Sequence, residues 1–155
     1  MNIDRQSLLA EIAGTTLLGD AEGALRCEGL TLSIESLADH GGLTIDAWLA
    51  EGAPGAPDPW RDPADHLVAG LDATLTNGEA LSVRPAPRRA VGPDLVALVI
   101  GMRGRFATVT SAWLRVHPVG ARRPATASFI HPRNPPLAEG ETALIEAIAR
   151  ELTRR

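Results

Sequence analysis

The 155-residue chain has no lysine and no tyrosine, and it has a single cysteine, Cys27. With no lysine there is neither a Schiff-base amine nor the lysine of a phosphate-binding P-loop. One cysteine can form neither an internal disulfide nor a multi-cysteine metal site. It reads as a buried or half-buried thiol near a helix end, because nothing close by in the sequence would lower its pKa. Aromatic residues make up 3% of the chain, so the core must rest on Leu, Val, Ile and Ala. No apolar run approaches the roughly 20 residues of a membrane-spanning helix. The start, MNIDRQSLLAEIAG, lacks the basic and apolar regions of a secretory signal. Cytoplasm is the default compartment and no membrane association is expected. A net charge of −4 argues against nucleic acid and anionic membranes as partners.

The composition that is present, 45% hydrophobic and 22% charged, is that of a globular domain. Ser7 to Ile12 reads as a strand. Thr16 is placed to cap a helix running to about Cys27, with Leu18, Ala21 and Leu25 buried. Leu30, Leu32 and Ile34 alternate with Thr31 and Ser33, which predicts a half-buried strand. Ile45 to Leu49 form a short helix, and the Pro- and Gly-rich stretch 51–63 is a loop. Leu67, Ala69, Leu71, Ala73 and Leu75 alternate with Val68, Gly70, Asp72 and Thr74. Asn77-Gly78 then signals a type I′ hairpin into Leu81 and Val83. After the loop 85–93, Pro93 and Asp94 open a short helix through Leu95, Leu98 and Val99. Gly101 and Gly104 bracket a turn into a strand from Ala107 to Val116. A further strand, Ala125 to Ile130, precedes a last helix with Leu144, Ile148 and Leu152 in one stripe beside Ile145. The elements predict one domain over 1–155 of α+β class, a mainly antiparallel sheet of about five strands flanked by helices. Its core spans 1–124, and 125–155 adds a strand and the C-terminal helix.

The chemistry is sparse. His40, His66, His117 and His131 show no zinc spacing, and the repeated Ala-Asp-His at 38–40 and 64–66 puts adjacent side chains on opposite sides. There is no GxSxG elbow and no CxxC. Arg84, Arg88, Arg89, Arg103 and Arg105 gather around the loops flanking the helix near 93–100. They read either as an anion or acidic-partner site or as a solvated surface with weak ion pairs. Trp48, Trp60 and Trp113 read as core or interface residues. No reaction and no catalytic residue follows from these residues alone.

Four stretches, taken in order, carry a resemblance: SLLAEIAGTTLLGDAEGALRCEGLTL, LTIDAWLAEGAPG, DHLVAGLDATLTNGEAL and GPDLVALVIGMRGRFATVTSAWLRVHP. Together they resemble the second, antiparallel subdomain of the FAD-binding domain of the vanillyl-alcohol oxidase and glycolate-oxidase-like oxidases, from about Ile3-Asp4 to Pro124. The tail RNPPLAEGETALIEAIAREL is similar to the closing segment of some members. The resemblance implies a fold of the PCMH type, with the flavin held between two subdomains. The first of these, which carries the Gly-rich pyrophosphate loop, has no counterpart in this chain.

If a flavin were held here, the resemblance places Asp46, Ala47, Trp48, Gly92, Gly101, Met102, Arg103, Gly104, Arg105 and Ala107 beside it. In the family, two consecutive glycines precede the Trp, and Asp46 and Ala47 stand in their place. The later motif, usually like GSEGTLGIIT, reads GMRGRFATVT from Gly101 to Thr110. Its turn glycines are kept, and bulkier residues stand at 102, 103, 105 and 107. A carboxylate would repel the diphosphate, and a β-carbon removes space that glycine leaves. The resemblance therefore implies a non-catalytic, degenerate relative that binds no FAD alone and acts as a structural or interaction module. The alternative is an FAD-binding subunit completed by a partner chain that supplies the missing subdomain. An apolar face without that subdomain calls for a cover, from the C-terminal helix together with a second copy of the chain or another protein.

Overall fold

The computed structural model describes residues 1–56, 67–85, 95–121 and 139–153. Five antiparallel strands form its sheet, in the order β1-β2-β6-β4-β5. These are β1 (Asn2–Asp4), β2 (Leu9–Ala13), β4 (Val68–Leu75), β5 (Ala80–Val83) and β6 (Ala107–Arg115), with β6 at the centre. A short ribbon pairs β3 (Leu30–Thr31) with β7 (His117–Pro118). The helices are α1 (Leu18–Cys27), α2 (Leu37–His40), α3 (Ile45–Ala50) and α4 (Glu139–Thr153), and a single 3-10 turn spans Leu95–Leu98. The architecture is the α+β antiparallel sheet expected. The predicted strand Ala125 to Ile130 and the helix start at Pro93-Asp94 lie outside the described residues.

Alternation along β2 and β6 explains why they occupy the middle of the sheet. Ala10 and Ile12 face Leu114 and Ala112 across the pair, and all four are buried. Against this face pack Leu18, Ala21 and Leu25 of α1 and Ile45, Trp48 and Leu49 of α3, forming one continuous core. Leu8, inside the expected strand, instead precedes β2 with a left-handed φ of 52° and is half-buried.

Several local expectations give way to tertiary contacts. Thr16 does not cap α1; the residue before the helix is Leu17, and no side chain caps it. The orphan N–H groups of Leu18 and Gly19 donate instead to the carbonyls of Leu43 and Gly41, at 2.8 and 3.0 Å. A neighbouring loop thus does what a side-chain cap would do. Regular pairing in β3 stops at Thr31, because Ser33 takes a left-handed φ of 59°. The alternation in β4 is interrupted by register shifts at 68–70 and 72–73. Val68 and Leu71 therefore join the core, and Pro85 lies over Gly70. The β4–β5 hairpin forms, but Asn77 does not take the positive φ that a type I′ turn needs. Its Oδ1 accepts the N–H of Glu79 at 2.9 Å, and Gly78 carries the left-handed φ of 86°. The helix expected through Val99 is only the 3-10 turn Leu95–Leu98, and the chain then reaches left-handed Gly101. Cys27 is exposed, not buried, because it lies on the outer side at the last residue of α1.

One buried charge was not foreseen. Glu22 on α1 is 2% exposed. Its carboxylate accepts from Thr31 Oγ1, from the Leu32 N–H at 2.9 Å and from Arg26 Nε at 2.9 Å. This satisfied carboxylate ties α1 to the chain following β3, and it explains why Thr31 is buried. Replacing Glu22 by Ala strands Thr31 and the Leu32 N–H. The expected loss is about 3 kcal/mol in urea unfolding, whereas Arg26→Ala, whose side chain is largely exposed, costs below about 1 kcal/mol.

Candidate functional site

The sequence-derived candidates fall into two segments, α3 and the turn 101–107. Gly92 lies outside the described residues. Thr44 caps α3 by accepting the Ala47 N–H on Oγ1 at 3.2 Å. The start of α3 is also held from below: the N–H groups of Ile45 and Asp46 donate to the carbonyls of Thr16 and Gly14, each at 2.9 Å.

Asp46 is the pivot. Its Oδ1 accepts the backbone N–H of Val109 at 2.6 Å, a contact spanning 63 residues of sequence. At this point β6 carries a bulge, since Asp72 pairs with Ser111 and Ala73 with Val109, leaving Thr110 as the extra residue. β2 stops pairing at Ala13–Ser111, so the ladder has no further strand carbonyl for Val109 on that side. The carboxylate supplies the acceptor. Beside it, the Gly14 N–H donates to the Thr110 carbonyl at 2.8 Å. A β-carbon on Gly14 would lie 1.9 Å from the Val109 oxygen, so only glycine fits.

Ala47 is half-buried, and Trp48 has no exposed surface. The Trp48 indole N–H donates to the Pro54 carbonyl at 3.0 Å, which fastens the chain leaving α3 back onto the helix. The turn 101–106 then closes the other end of α3. The N–H groups of Gly101 and Arg103 donate to the carbonyls of Leu49 and Ala50 at 3.0 and 2.9 Å, and Arg105 donates to Met102 at 3.0 Å. Left-handed φ values of 75°, 53° and 70° at Gly101, Arg103 and Gly104 aim these donors. Gly101 also meets Gly52 back to back, at 3.8 Å from the Gly52 Cα to a β-carbon built on Gly101.

Met102 is half-buried; Arg103, Gly104 and Arg105 are exposed; Ala107 is buried where β6 begins. The structure thus brings the candidates from α3 and the turn together. It does not gather the arginines: Arg84 follows β5 beyond the Leu71–Val83 pair, while Arg105 precedes Ala107, which pairs with Leu75 at the far end of β4. Arg88 and Arg89 lie outside the described residues. Among the described residues no group of His, Cys, Asp or Glu is placed to hold a metal ion. No helix among them is long and apolar enough to cross a membrane.

Sequence reasoning located α3 and the glycine turn and missed what binds them. The sole signal available for Gly14 was a glycine at the end of a strand. For Asp46, the first-turn position of a short helix gave no hint of a partner 63 residues away. Substituting Asp46 by Ala leaves the part-buried Val109 N–H without an acceptor and is expected to cost about 2 kcal/mol in urea unfolding; Asn, which keeps an acceptor oxygen, costs less. Gly14→Ala forces overlap with backbone and is expected to cost about 3 kcal/mol in the same measurement.

No family model matches the chain. Over 120 residues it is 29% identical to an uncharacterized FAD-linked oxidoreductase, YgcU, of Escherichia coli strain K12, and equally to that of Escherichia coli O157:H7. The match covers 75% of this chain and 24% of each relative, so the chain spans about a quarter of their length. Among solved structures it superposes on alkyldihydroxyacetonephosphate synthase in two crystal forms, with TM-scores of 0.63 and 0.62 and 22% identity. Those matches cover 79% of this chain and 21% and 22% of the synthase chains. In sequence and in fold the chain is a partial FAD-binding-domain-like unit, similar to one portion of the FAD-linked oxidoreductases.

Proposed function

We propose that this chain is a structural or interaction module of flavin-domain type, without oxidoreductase chemistry of its own. One observation carries the reading. The groups at the cofactor-facing positions are spent on the fold itself: the Asp46 carboxylate on Val109, the Gly101 and Arg103 N–H groups on the end of α3, and the Trp48 indole on Pro54. A diphosphate binds to backbone N–H groups that point at it and to positive potential. Here the Gly101 and Arg103 donors point inward onto one end of α3, and at its other end the Asp46 carboxylate is taken up by the Val109 N–H. This donor set does not fit a flavin diphosphate.

A second reading is kept by a specific feature. Arg103 and Arg105 are exposed on a turn whose backbone is held in place, and the relative with the matching sequence is named as FAD-linked. On that reading the chain is a subunit that contributes this surface to an FAD site, and another chain supplies the pyrophosphate loop. Anion binding by the two guanidinium groups without any flavin belongs to the same surface.

The test is an absorbance spectrum of the freshly purified chain and of the chain after incubation with FAD and desalting. A colourless protein in both cases is expected. Stoichiometric flavin retained by the chain alone would overturn the reading, and flavin retained only with a co-purifying chain would favour the second.

A further inference from the structure

Arg103 and Arg105 are charges that the fold itself does not use. Both are exposed, and among the described residues neither guanidinium has a hydrogen-bond or ion-pair partner, unlike Arg5 and Arg26, which pair with Glu28 and Glu22. Their backbone, by contrast, is fixed. The Arg105 N–H donates to the Met102 carbonyl at 3.0 Å and closes residues 102–105 into a β-turn. Arg103 and Gly104, its central residues, have φ of 53° and 70°, both left-handed as type I′ requires. Ties from Gly101 to Leu49 and from Arg103 to Ala50 hold the turn against α3. The Gly104 N–H donates to no backbone carbonyl, and a β-carbon built on Gly104 meets nothing within 4 Å, so the space above the turn is open. Type I′ turns favour Asn-Gly at their centre, because a β-carbon strains a left-handed residue. Here that first central place is held by an arginine whose side chain does nothing inside the protein.

We propose that the 102–105 turn binds a phosphate monoester group, held by the Arg103 and Arg105 guanidinium groups and the Gly104 N–H. Two residues apart on a closed turn, the two side chains are within reach of one anion above Gly104. A guanidinium fork serves two oxygens, so two forks and an N–H exceed what a carboxylate accepts and suit a tetrahedral group. Two positive charges match a dianionic monoester. The singly charged phosphates of a dinucleotide match them less well, and one outward N–H does not make the row of donors that a diphosphate uses. The chain's net charge of −4 gives no long-range attraction, and Glu51 is exposed just beyond Ala50. Binding is therefore expected in the millimolar range and is weakened by salt. The inference rests on the anion-binding form of the second reading above and names its ligand class.

The test titrates the full chain with inorganic phosphate at about pH 8, where it is largely dianionic, at constant ionic strength. NMR follows the Gly104 amide and the arginine Nε signals. Saturable shifts at Gly104, Arg103 and Arg105 are expected, with acetate and dimethyl phosphate binding at least about 10-fold more weakly. Arg103→Gln and Arg105→Gln each weaken phosphate binding at least about 10-fold, while Arg84→Gln, at the other end of the β4–β5 pair, leaves it unchanged. Arg103→Gly abolishes binding and keeps the urea midpoint at or above that of the unaltered chain, which separates a ligand-binding arginine from a structural one. No saturable shift, equal binding of acetate or dimethyl phosphate, or an equal response to Arg84→Gln overturns the proposal. A fall in stability with Arg103→Gly assigns that side chain to the fold and overturns it as well. Flavin retained by the chain together with a saturating phosphate titration would overturn the non-catalytic reading alone. A colourless chain that ignores phosphate would overturn the phosphate site alone.

Discussion

The hydrogen bond from the Val109 N–H to the Asp46 carboxylate holds together what the rest of the fold is built on. It lies at the bulge of the central strand, where β2 has ended and β6 would otherwise expose an unpaired donor. Through it α3 is seated across the end of the sheet. With α3 seated, Gly14 can approach the β6 backbone, and its carbonyl receives the Asp46 N–H. The far end of α3 is then in reach of the 101–106 turn, which caps it. Trp48 and Phe106 are both fully buried. A part-buried backbone donor left without an acceptor costs about 1–3 kcal/mol, a large share of the stability of a domain this size.

On the proposed reading, the same interaction occupies a position where the family resemblance would place a cofactor. Here a side chain enters, and the Gly101 and Arg103 donors of the glycine turn are directed into the protein. The turn keeps its left-handed backbone at Gly101 and Gly104, which the fold needs whether or not a flavin is present. Retained glycines therefore speak for ancestry and architecture. Function depends on what their N–H groups face.

Much of the architecture was legible in the residues because it is local. The period-two runs at 9–13 and 107–115 and the helical spacing at 18–27 are short-range patterns that the core rewards. What escaped reading was long-range. Thr16 is a good cap by type, yet carbonyls from Gly41 and Leu43 arrive first. Glu22 looks like an ordinary exposed helix residue until Thr31 and Leu32 close over it. Asn77-Gly78 marks a hairpin correctly, but Asn77 uses its side chain on Glu79 instead of turning left-handed. The candidate site was located because the family resemblance points to α3 and the turn. Its internal use could not be read, because Asp46 and Val109 stand 63 residues apart.

Amide hydrogen exchange at Val109, followed by NMR with and without millimolar FAD, tests this most directly. If the carboxylate of Asp46 holds that N–H and the site has no place for a flavin, Val109 exchanges only with global unfolding, and added FAD changes nothing. Rapid exchange at Val109, or new protection of Gly104 and Arg105 on adding FAD, would contradict it.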